Sequence, residues 1–302
     1  MKLIAWAISD VGRKREHNED SYLVDEGLHL FAVADGMGGH QGGAQASKMA
    51  IDILRREVIQ AGDLSATWPV DDGEPTSRHS PVPTTASSPS PTRNGKGGEP
   101  SGGQQAPEPD AKGQADTEPL AKELPAPAAV LRSAARKAGR AIYDVAQSDA
   151  RLAGMGTTLT AALFYRERAH FVHVGDSRAF LLRERRIEQI TQDHSWIAEQ
   201  VKAGIMSENE AKESRFRHVI TRSVGYEREV EADLFALGVL PGDCFLFCSD
   251  GMSSYFELEE VGRILSANYY RRVPQLLVDL ANERGGDDNI TIVLVHAAND
   301  GE

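Results

Sequence analysis

The sequence predicts an α+β fold, a β-sandwich flanked by helices, and two observations lead to this prediction. Seven runs rich in β-branched and aromatic residues have the composition of strands. Helical periodicity occurs in pairs of segments, at residues 44–61 and 130–148, 195–203 and 207–213, and 259–267 and 273–284. Many strands that look antiparallel, combined with paired helices, favour layers of helix packed on sheet.

The predicted strands follow one another with the helices between them. In chain order they are KLIAWAIS (2–9), LHLFAVAD (28–35), TLTAALFY (158–165), RAHFVHVGD (168–176), RAFLLRE (178–184), DCFLFCSD (243–250) and NITIVLVHA (289–297). Some of them alternate apolar with polar residues, which is typical of a strand with one buried face.

A segment of different composition interrupts the chain. Twelve of the 14 prolines lie between Pro69 and Pro127, and residues 69–141 contain no Phe, Tyr, Trp or Ile. Such a segment buries too little apolar area to offset its chain entropy, so we expect a disordered insert at about residues 62–128. Residues 1–302 would then form a single domain that tolerates a short Gly/Ser linker in place of the insert.

Charge and composition exclude several classes of function. The chain has 33 Lys and Arg against 45 Asp and Glu, and this net charge of −12 disfavours binding to nucleic acid or anionic membranes. No apolar run approaches the roughly 20 residues of a spanning helix, and no export signal is recognisable. Cys244 and Cys248 are expected as small buried residues of a reduced, cytoplasmic protein.

Four acidic residues lie next to glycine or turn residues. Asp20 comes just before SYLV (21–24), and Asp35, Asp250 and Asp288 each lie at one end of a predicted strand. Each one alone is more simply explained as a turn residue. Several strand ends on one side of a sheet can converge, however, and converging carboxylates repel one another unless cations lie between them. Because the donors are hard oxygens, we expect Mg²⁺ or Mn²⁺ there rather than Zn²⁺.

A pair of such cations suits the hydrolysis of a phosphate ester. The ions lower the pKa of water and neutralise charge on the phosphoryl oxygens. Arg15, five residues before Asp20, can hold a phosphate with two parallel hydrogen bonds. These residue types therefore indicate a metal-dependent phosphatase.

Seven blocks of sequence form a longer pattern along the chain, and four of them contain these residues. They are SDVGRKREHNEDSY (9–22), VADGMGGH (33–40), GMGTTLTAALF (154–164), HVGDSRAFLLR (173–183), ITQDHS (190–195), CSDGM (248–252) and GGDDNITIVLV (285–295). In this order they resemble the metal-dependent protein Ser/Thr phosphatases of type 2C (PPM family), in their bacterial form. The resemblance covers the whole folded part and leaves out only the insert.

The resemblance implies a four-layer α-β-β-α sandwich of two antiparallel sheets flanked by helices. It also implies that Asp35 bridges two Mn²⁺ or Mg²⁺ ions, that the Gly36 carbonyl binds one of them, and that Arg15 binds the phosphate. The reaction would be hydrolysis of phosphoserine and phosphothreonine in proteins by a metal-bridging hydroxide. The implied partners are phosphoproteins, namely a Ser/Thr protein kinase or its substrates, and the protein would be a cytoplasmic monomer.

The same resemblance divides the remaining carboxylates between the two ions. Asp250 and Asp288 would hold one ion together with Asp35. Asp20 and Glu19 would hold the other, largely through bound water.

Two departures from the family pattern limit what the resemblance implies. Some members have a histidine, the proposed general acid, directly after the Asp-Gly pair, where this chain has Met37. His40 is the nearest alternative, although a structural role in its glycine-rich turn is equally plausible. Asp176 matches a ligand of a third cation, but Ser254 stands where many relatives have another aspartate. A third site would therefore be weaker or differently built.

Four other polar residues in these blocks are expected to be structural. Thr157 and Thr158 fit the start of a core strand. Asp193 and His194 fit a polar turn. By resemblance, the charged segment at residues 196–226 forms a flap beside the site.

Two other functions stay open at this point. One is a catalytically silent binding module, which loss of the metal carboxylates would indicate, but all four are present. Alternatively, the substrate is a small phosphate ester or a regulatory protein of a partner-switching system. Rates on a phosphopeptide and on small phosphomonoesters would separate these possibilities.

Overall fold

The computed structural model describes residues 1–39, 41–62, 118–119, 126–216 and 218–298, with backbone but no side chains at 118–119 and 212–213. The chain divides into two compact units, and all of the described residues belong to the first, which consists of residues 1–68 together with residues 114–302. The second unit, residues 69–113, lies outside the described residues.

A five-stranded antiparallel sheet holds both ends of the described chain. Its strands in spatial order are β1 (Lys2–Asp10), β13 (Ile290–Ala298), β12 (Cys244–Cys248), β9 (Arg178–Arg183) and β10 (Arg186–Gln189). β1 and β13 pair along their whole length, from Lys2 opposite Ala298 to Asp10 opposite Ile290. This register brings the end of β1 beside the start of β13.

A second antiparallel sheet packs against the first. Its order is β2 (Ser21–Asp25), β3 (Leu30–Ala34), β7 (Leu159–Tyr165), β8 (Arg168–Val174), β11 (Asp233–Gly238) and β5 (Glu118–Pro119). A two-stranded ladder of β4 (Gly36–Met37) and β6 (Gly156–Thr157) extends the connection from β3.

Helices cover the outer face of each sheet. α1 (Gly42–Ala61) and α2 (Ala126–Ser148) pack on each other and on the six-stranded sheet. α6 (Leu258–Ala267) and α7 (Val273–Arg284) pack on the five-stranded sheet. Three short helices, α3 (Trp196–Lys202), α4 (Glu208–Glu213) and α5 (Asp250–Ser253), lie in the connections.

The side-chain alternation of β12 shows how the layers are built. All five residues of CFLFC are buried. Phe245 and Phe247 point into the core between the sheets, whereas Cys244, Leu246 and Cys248 point into the core beneath α6 and α7. Because both faces of β12 are covered, the strand is apolar at every position. This pattern agrees with its position in the middle of the five-stranded sheet.

The predicted α-β-β-α sandwich of two antiparallel sheets is confirmed. Each of the seven predicted strands and six predicted helices has a counterpart in the structure. The sequence did not predict three longer strands, β2, β10 and β11. β2 and β10 are sheet edges with partly exposed residues, and such strands lack a continuous apolar run.

The predicted insert at residues 62–128 falls mostly outside the described residues. The last residues of this range belong to α2, which begins at Ala126, and Ala128 is fully buried. Pro127 fits the first turn of a helix, where a proline loses no hydrogen bond. Glu118–Pro119 also lies within the predicted insert and pairs with β11.

The two cysteines are free and buried, as predicted. Burial raises the pKa of the Cys248 thiol to about 12, so it is unreactive at neutral pH. Among the helices of the described residues, none combines the length and the apolar character needed to cross a bilayer.

His170 on β8 gives a testable pH dependence of stability. Burial and, next in effect, the charge of nearby Arg168 lower its pKa from 6.5 to about 4. Between these values the unfolded chain binds a proton that the native protein does not, so the free energy of unfolding falls as the pH falls. The contribution is about 1.4 kcal/mol per pH unit. We expect His170→Gln to reduce the slope of unfolding free energy against pH by about this amount between pH 6 and pH 4.5.

Urea unfolding at several pH values measures this slope. His29→Asn is the matched control, because His29 is exposed in a turn with a left-handed backbone that asparagine tolerates. Equal slopes for the wild type and His170→Gln would show that folding does not lower the pKa of His170.

Candidate metal centre

The loop between β1 and β2 carries Arg15 and Asp20, and Asn289 holds it in place. The side-chain amide of Asn289 donates to the carbonyls of Val11 and His17, both at 3.0 Å. Its oxygen accepts a hydrogen bond from the backbone N–H of Glu19 at 2.8 Å. Three backbone groups of the loop are thus tied to the residue that follows Asp288.

Asp35 follows the buried strand β3, and two threonines fix its backbone. The Asp35 N–H donates to Thr158 Oγ1 at 2.8 Å, and the Asp35 carbonyl accepts from the Thr158 N–H at 2.8 Å. The Thr157 hydroxyl donates to the same carbonyl at 2.9 Å. Thr157 and Thr158 are fully buried, so their predicted core position is confirmed, and they also position Asp35.

Gly36 is enclosed by backbone atoms. A Cβ at this position would overlap the carbonyl of Gly43 at the start of α1 and would touch the carbonyl of Glu19. The Glu19 carboxylate in turn lies against Gly43, where there is equally no room for a Cβ. Glycine at both positions lets the loop carrying Glu19, the Asp35–Gly36 segment and α1 approach one another closely.

Asp250 and Asp288 come from neighbouring strands of the five-stranded sheet. Asp250 directly follows Ser249 at the end of β12, and Asp288 lies two residues before β13. A Cβ on Gly251 would meet the Asn289 carbonyl and would lie 3.3 Å from the Cβ of Asp288. The Asp250–Gly251 backbone therefore packs directly on the loop that carries Asp288.

The carboxylates repel one another. Burial raises the pKa of Asp20 to about 7, and the charges of Asp250 and Asp288 add to this rise. Burial also raises the pKa of Asp35 well above its usual range, and next in effect are the charges of Asp20 and Asp250. The pKa of Asp288 rises for the same two reasons, burial and Asp250. Such mutual effects require the groups to lie near one another.

Asp176 belongs to the same group of charges. It lies in the turn between β8 and β9 and is 7% exposed. Burial raises its pKa to about 8, and the charge of Asp250 contributes next. Its own charge raises the pKa of Asp35. Five of the predicted ligands therefore share one electrostatic environment: Asp20, Asp35, Asp176, Asp250 and Asp288.

The donor set fits hard divalent cations. Both carboxylate oxygens of Asp20 and one oxygen of Asp250 are buried with no hydrogen-bond partner, and buried charges without partners are rare unless a cation binds them. Within the described residues, no three carboxylate, imidazole or thiolate side chains already surround a single point. Ions bound here would therefore also take backbone carbonyl and water oxygens, as Mg²⁺ commonly does.

Arg15 lies at the edge of this carboxylate cluster. Its Nη2 donates to Asp288 Oδ2 at 2.6 Å, and the two side chains are 48% and 32% exposed. His218, from the segment between α4 and β11, has its Nδ1 3.8 Å from Asp250 Oδ2. The Arg15 guanidinium is thus in direct contact with the cluster and still accessible to solvent.

The remaining predicted residues have mixed outcomes. His40, the proposed general acid, lies outside the described residues. Asn289 and Thr158 were given no role at the site from sequence, although both lie in the blocks GGDDN and GTTL that carried the resemblance. Their effect passes through hydrogen bonds to residues 270 and 123 positions away, which the sequence alone does not show.

A surface depression of about 420 Å³ lies elsewhere on the molecule. It is lined by Leu182, Arg183, Leu240, Asp243 and Tyr270 among others. None of the residues that line it belongs to the carboxylate cluster, so this depression is separate from the candidate metal centre.

Comparison with known proteins gives consistent matches in sequence. A family model described as Protein phosphatase 2C matches residues 111–282. A putative protein phosphatase 2C-type of Streptococcus pyogenes is 32% identical over 292 residues, 95% of each chain. The serine/threonine phosphatase stp of Listeria monocytogenes is 30% identical over 296 residues, 95% of this chain and 93% of that protein.

Solved structures show the same similarity. The serine/threonine phosphatase PstP/Ppp of Mycobacterium tuberculosis superposes with a TM-score of 0.73 at 30% identity, covering 99% of this chain and all of that one. The catalytic domain of PstP in complex with two manganese ions gives a TM-score of 0.70 at 29% identity, covering 98% of this chain and 99% of that one.

Proposed function

The chain belongs to the protein phosphatase 2C family, and we propose that it is a metal-dependent phosphatase acting on phosphoserine and phosphothreonine in proteins. The observation that carries the proposal is the cluster of carboxylates at the ends of β3 and β12 and in the loops before β2 and β13. Within it, both oxygens of Asp20 and one oxygen of Asp250 are buried without a hydrogen-bond partner. The names of the relatives support the choice of protein substrates.

The proposed ligands of one divalent cation are Asp35, Asp250 and Asp288. Asp35 would also hold a second cation, together with Asp20 and Glu19, which act largely through bound water. The Gly36 carbonyl is the proposed ligand of one of the two. Asp176 is the proposed ligand of a weaker third. When bound, Mn²⁺ or Mg²⁺ supplies Lewis-acid chemistry, which lowers the pKa of water and neutralises charge on phosphoryl oxygens. The presence of two manganese ions in the related PstP structure supports this proposal.

The chain's own residues orient the substrate. The Arg15 guanidinium has several N–H donors and is 48% exposed beside Asp288, so it can donate two hydrogen bonds to a phosphoryl group at the cluster. Its charge offsets that of the phosphate and of Asp288. His40 is the proposed proton donor to the leaving alkoxide of serine or threonine.

The cellular setting is proposed on the same basis. The substrates are phosphoproteins, and the proposed partner is a Ser/Thr protein kinase, or the substrates of that kinase, in a bacterial signalling pathway. We propose a monomer that acts in the cytoplasm, in keeping with its two free, buried cysteines. Residues 1–302 are proposed to form one phosphatase domain, interrupted by the insert at about residues 62–128.

Phosphate release from a phosphothreonine peptide tests the proposed function. Purified full-length protein is assayed in EDTA, in Mg²⁺ and in Mn²⁺, with folding checked by circular dichroism. We expect release only with added metal, and a higher kcat/KM on the peptide than on a small chromogenic ester. A folded protein that is inactive in every metal would overturn the proposal, and a preference for the small ester would overturn the choice of substrate.

A further inference from the structure

His194 lies directly against the turn that carries Asp176. It is 5% exposed in the connection between β10 and α3. The His194 backbone N–H donates to the Gly175 carbonyl at 2.8 Å, and His194 Nδ1 accepts from the Gly175 N–H at 3.1 Å. One residue thus satisfies both backbone groups of the residue before Asp176.

The other ring nitrogen of His194 fixes the tautomer. Nε2 lies 3.2 Å from Asp233 Oδ2 on β11. Because Nδ1 must accept from Gly175, the proton lies on Nε2 and is donated to Asp233. This hydrogen bond is the main cause of the lowered pKa of Asp233. The imidazole therefore has one orientation in which both of its partners are satisfied.

The opposite side of the turn rests on the residues that hold Asp35. Gly175 has φ +107°, and a Cβ there would overlap the Thr158 side chain. The hydroxyls of Ser177 and Thr158 are hydrogen-bonded at 2.7 Å. Thr158 in turn binds the backbone of Asp35. The Gly175–Asp176 turn is therefore clamped between Thr158, which positions Asp35, and His194.

Asp193 and Arg178 strengthen this clamp. The Asp193 carboxylate accepts two hydrogen bonds from the Arg178 guanidinium, with the shorter at 2.7 Å. Arg178 begins β9, directly after the turn, so this pair ties the residue before His194 to the far end of the same turn.

His194 also stands at the base of the segment of residues 195–221. The Thr221 N–H donates to the His194 carbonyl at 2.8 Å, and the Trp196 N–H donates to the Val219 carbonyl at 2.9 Å. Arg222 Nη1 donates to the second oxygen of Asp233 at 3.0 Å. The two ends of the segment thus meet at the residue that contacts the turn.

We infer that His194 is a positioning residue: its imidazole holds the Gly175–Asp176 turn and so sets the Asp176 carboxylate relative to Asp35. The inference rests on the proposed function in one respect, namely that the group bound by Asp176 is a divalent cation. A partner that orients a metal ligand contributes roughly 10- to 100-fold to metal affinity. His194 does this through the backbone of Gly175.

Three substitutions separate the two contacts of the imidazole. His194→Asn keeps an acceptor near the position of Nδ1 and loses the donor to Asp233. His194→Gln keeps a donor near the position of Nε2 and loses the acceptor for Gly175. His194→Ala loses both. If the alanine variant does not fold, the asparagine and glutamine variants still provide the comparison.

Amide hydrogen exchange of the metal-free, full-length protein is the first readout. We expect the Gly175 amide to exchange about fivefold faster or more in His194→Ala and His194→Gln, the change that corresponds to one lost hydrogen bond. It should stay close to the wild-type rate in His194→Asn. Equal rates in all four proteins, or the same acceleration in the asparagine and glutamine variants, would overturn the inference.

Titration with Mn²⁺, followed by electron paramagnetic resonance of the free ion, is the second readout. The dissociation constant of the weakest bound ion should rise about 10-fold in His194→Ala and His194→Gln, but not in His194→Asn. Faster Gly175 exchange with unchanged Mn²⁺ affinity would overturn the link from the turn to Asp176, and leave the proposed function intact. No Mn²⁺ binding by the wild type would instead overturn the proposed function, together with the cation named here.

Discussion

Asp35→Asn is expected to abolish phosphatase activity and, at the same time, to stabilise the metal-free protein. Asp35 lies among the charges of Asp20, Asp250, Asp176 and Asp288, which together with burial raise its pKa well above the usual range. Removing its charge relieves this repulsion, and the gain should be about 1 kcal/mol, as for many functional residues. Thermal unfolding in EDTA at pH 8 should therefore show a higher Tm for the variant.

The loss of activity follows from the proposed bridging role of the same carboxylate. Metal ions contribute several kcal/mol of charge stabilisation in the transition state, and about 4 kcal/mol corresponds to roughly a 10³-fold loss of kcat. Added Mn²⁺ at 100 times its dissociation constant stabilises a protein by about 2.7 kcal/mol. We therefore expect added Mn²⁺ to raise the Tm of the wild type and to raise the Tm of Asp35→Asn only slightly.

Asp52→Asn is the matched control for this prediction. Asp52 lies exposed on α1, where it forms a surface ion pair with Lys48, and such pairs contribute little to stability. Its Tm in EDTA, its response to Mn²⁺ and its activity should match the wild type. Near-normal metal-dependent turnover in Asp35→Asn would contradict the assignment of Asp35 as a ligand.

The layers of the fold were predictable because burial on two faces leaves a plain signal in the sequence. The run CFLFC at residues 244–248 is apolar at every position, since each of its faces meets a different core. Edge strands such as Arg186–Gln189 carry no such signal, because half of their surface meets solvent. Their strand conformation comes from the neighbouring strand with which they pair.

The ligand chemistry of the candidate site could be predicted from the sequence, but the residues that position the ligands could not. Carboxylates beside glycines pointed to cations because few other environments tolerate several such charges together. Asn289 and His194 act through contacts with backbone groups far away in the chain. In the sequence they look like ordinary turn residues, and only the folded arrangement reveals what their side chains hold.

Gly36→Ala is expected to cost about 3 kcal/mol of stability, near the upper end for overpacked sites. The new Cβ would overlap the carbonyl of Gly43 and touch that of Glu19. Both obstacles are backbone atoms, at the start of α1 and in the loop before β2, so relief requires whole segments to move. The Tm should fall by roughly 5–10 °C. Because such movement shifts the Gly36 carbonyl, a proposed metal ligand, the stabilisation by Mn²⁺ should fall as well.

Gly238→Ala separates this packing effect from the general effect of replacing a glycine. Gly238 ends β11, and a Cβ there would have no atom within 4 Å. Its Tm should stay near that of the wild type, because alanine fits the extended backbone and restricts the unfolded chain. If Gly36→Ala matched Gly238→Ala in both Tm and response to Mn²⁺, the close approach of Gly36 to Gly43 would not be needed to form the site. A selective loss in Gly36→Ala would show that the same contact between backbones both stabilises the fold and orients the carbonyl.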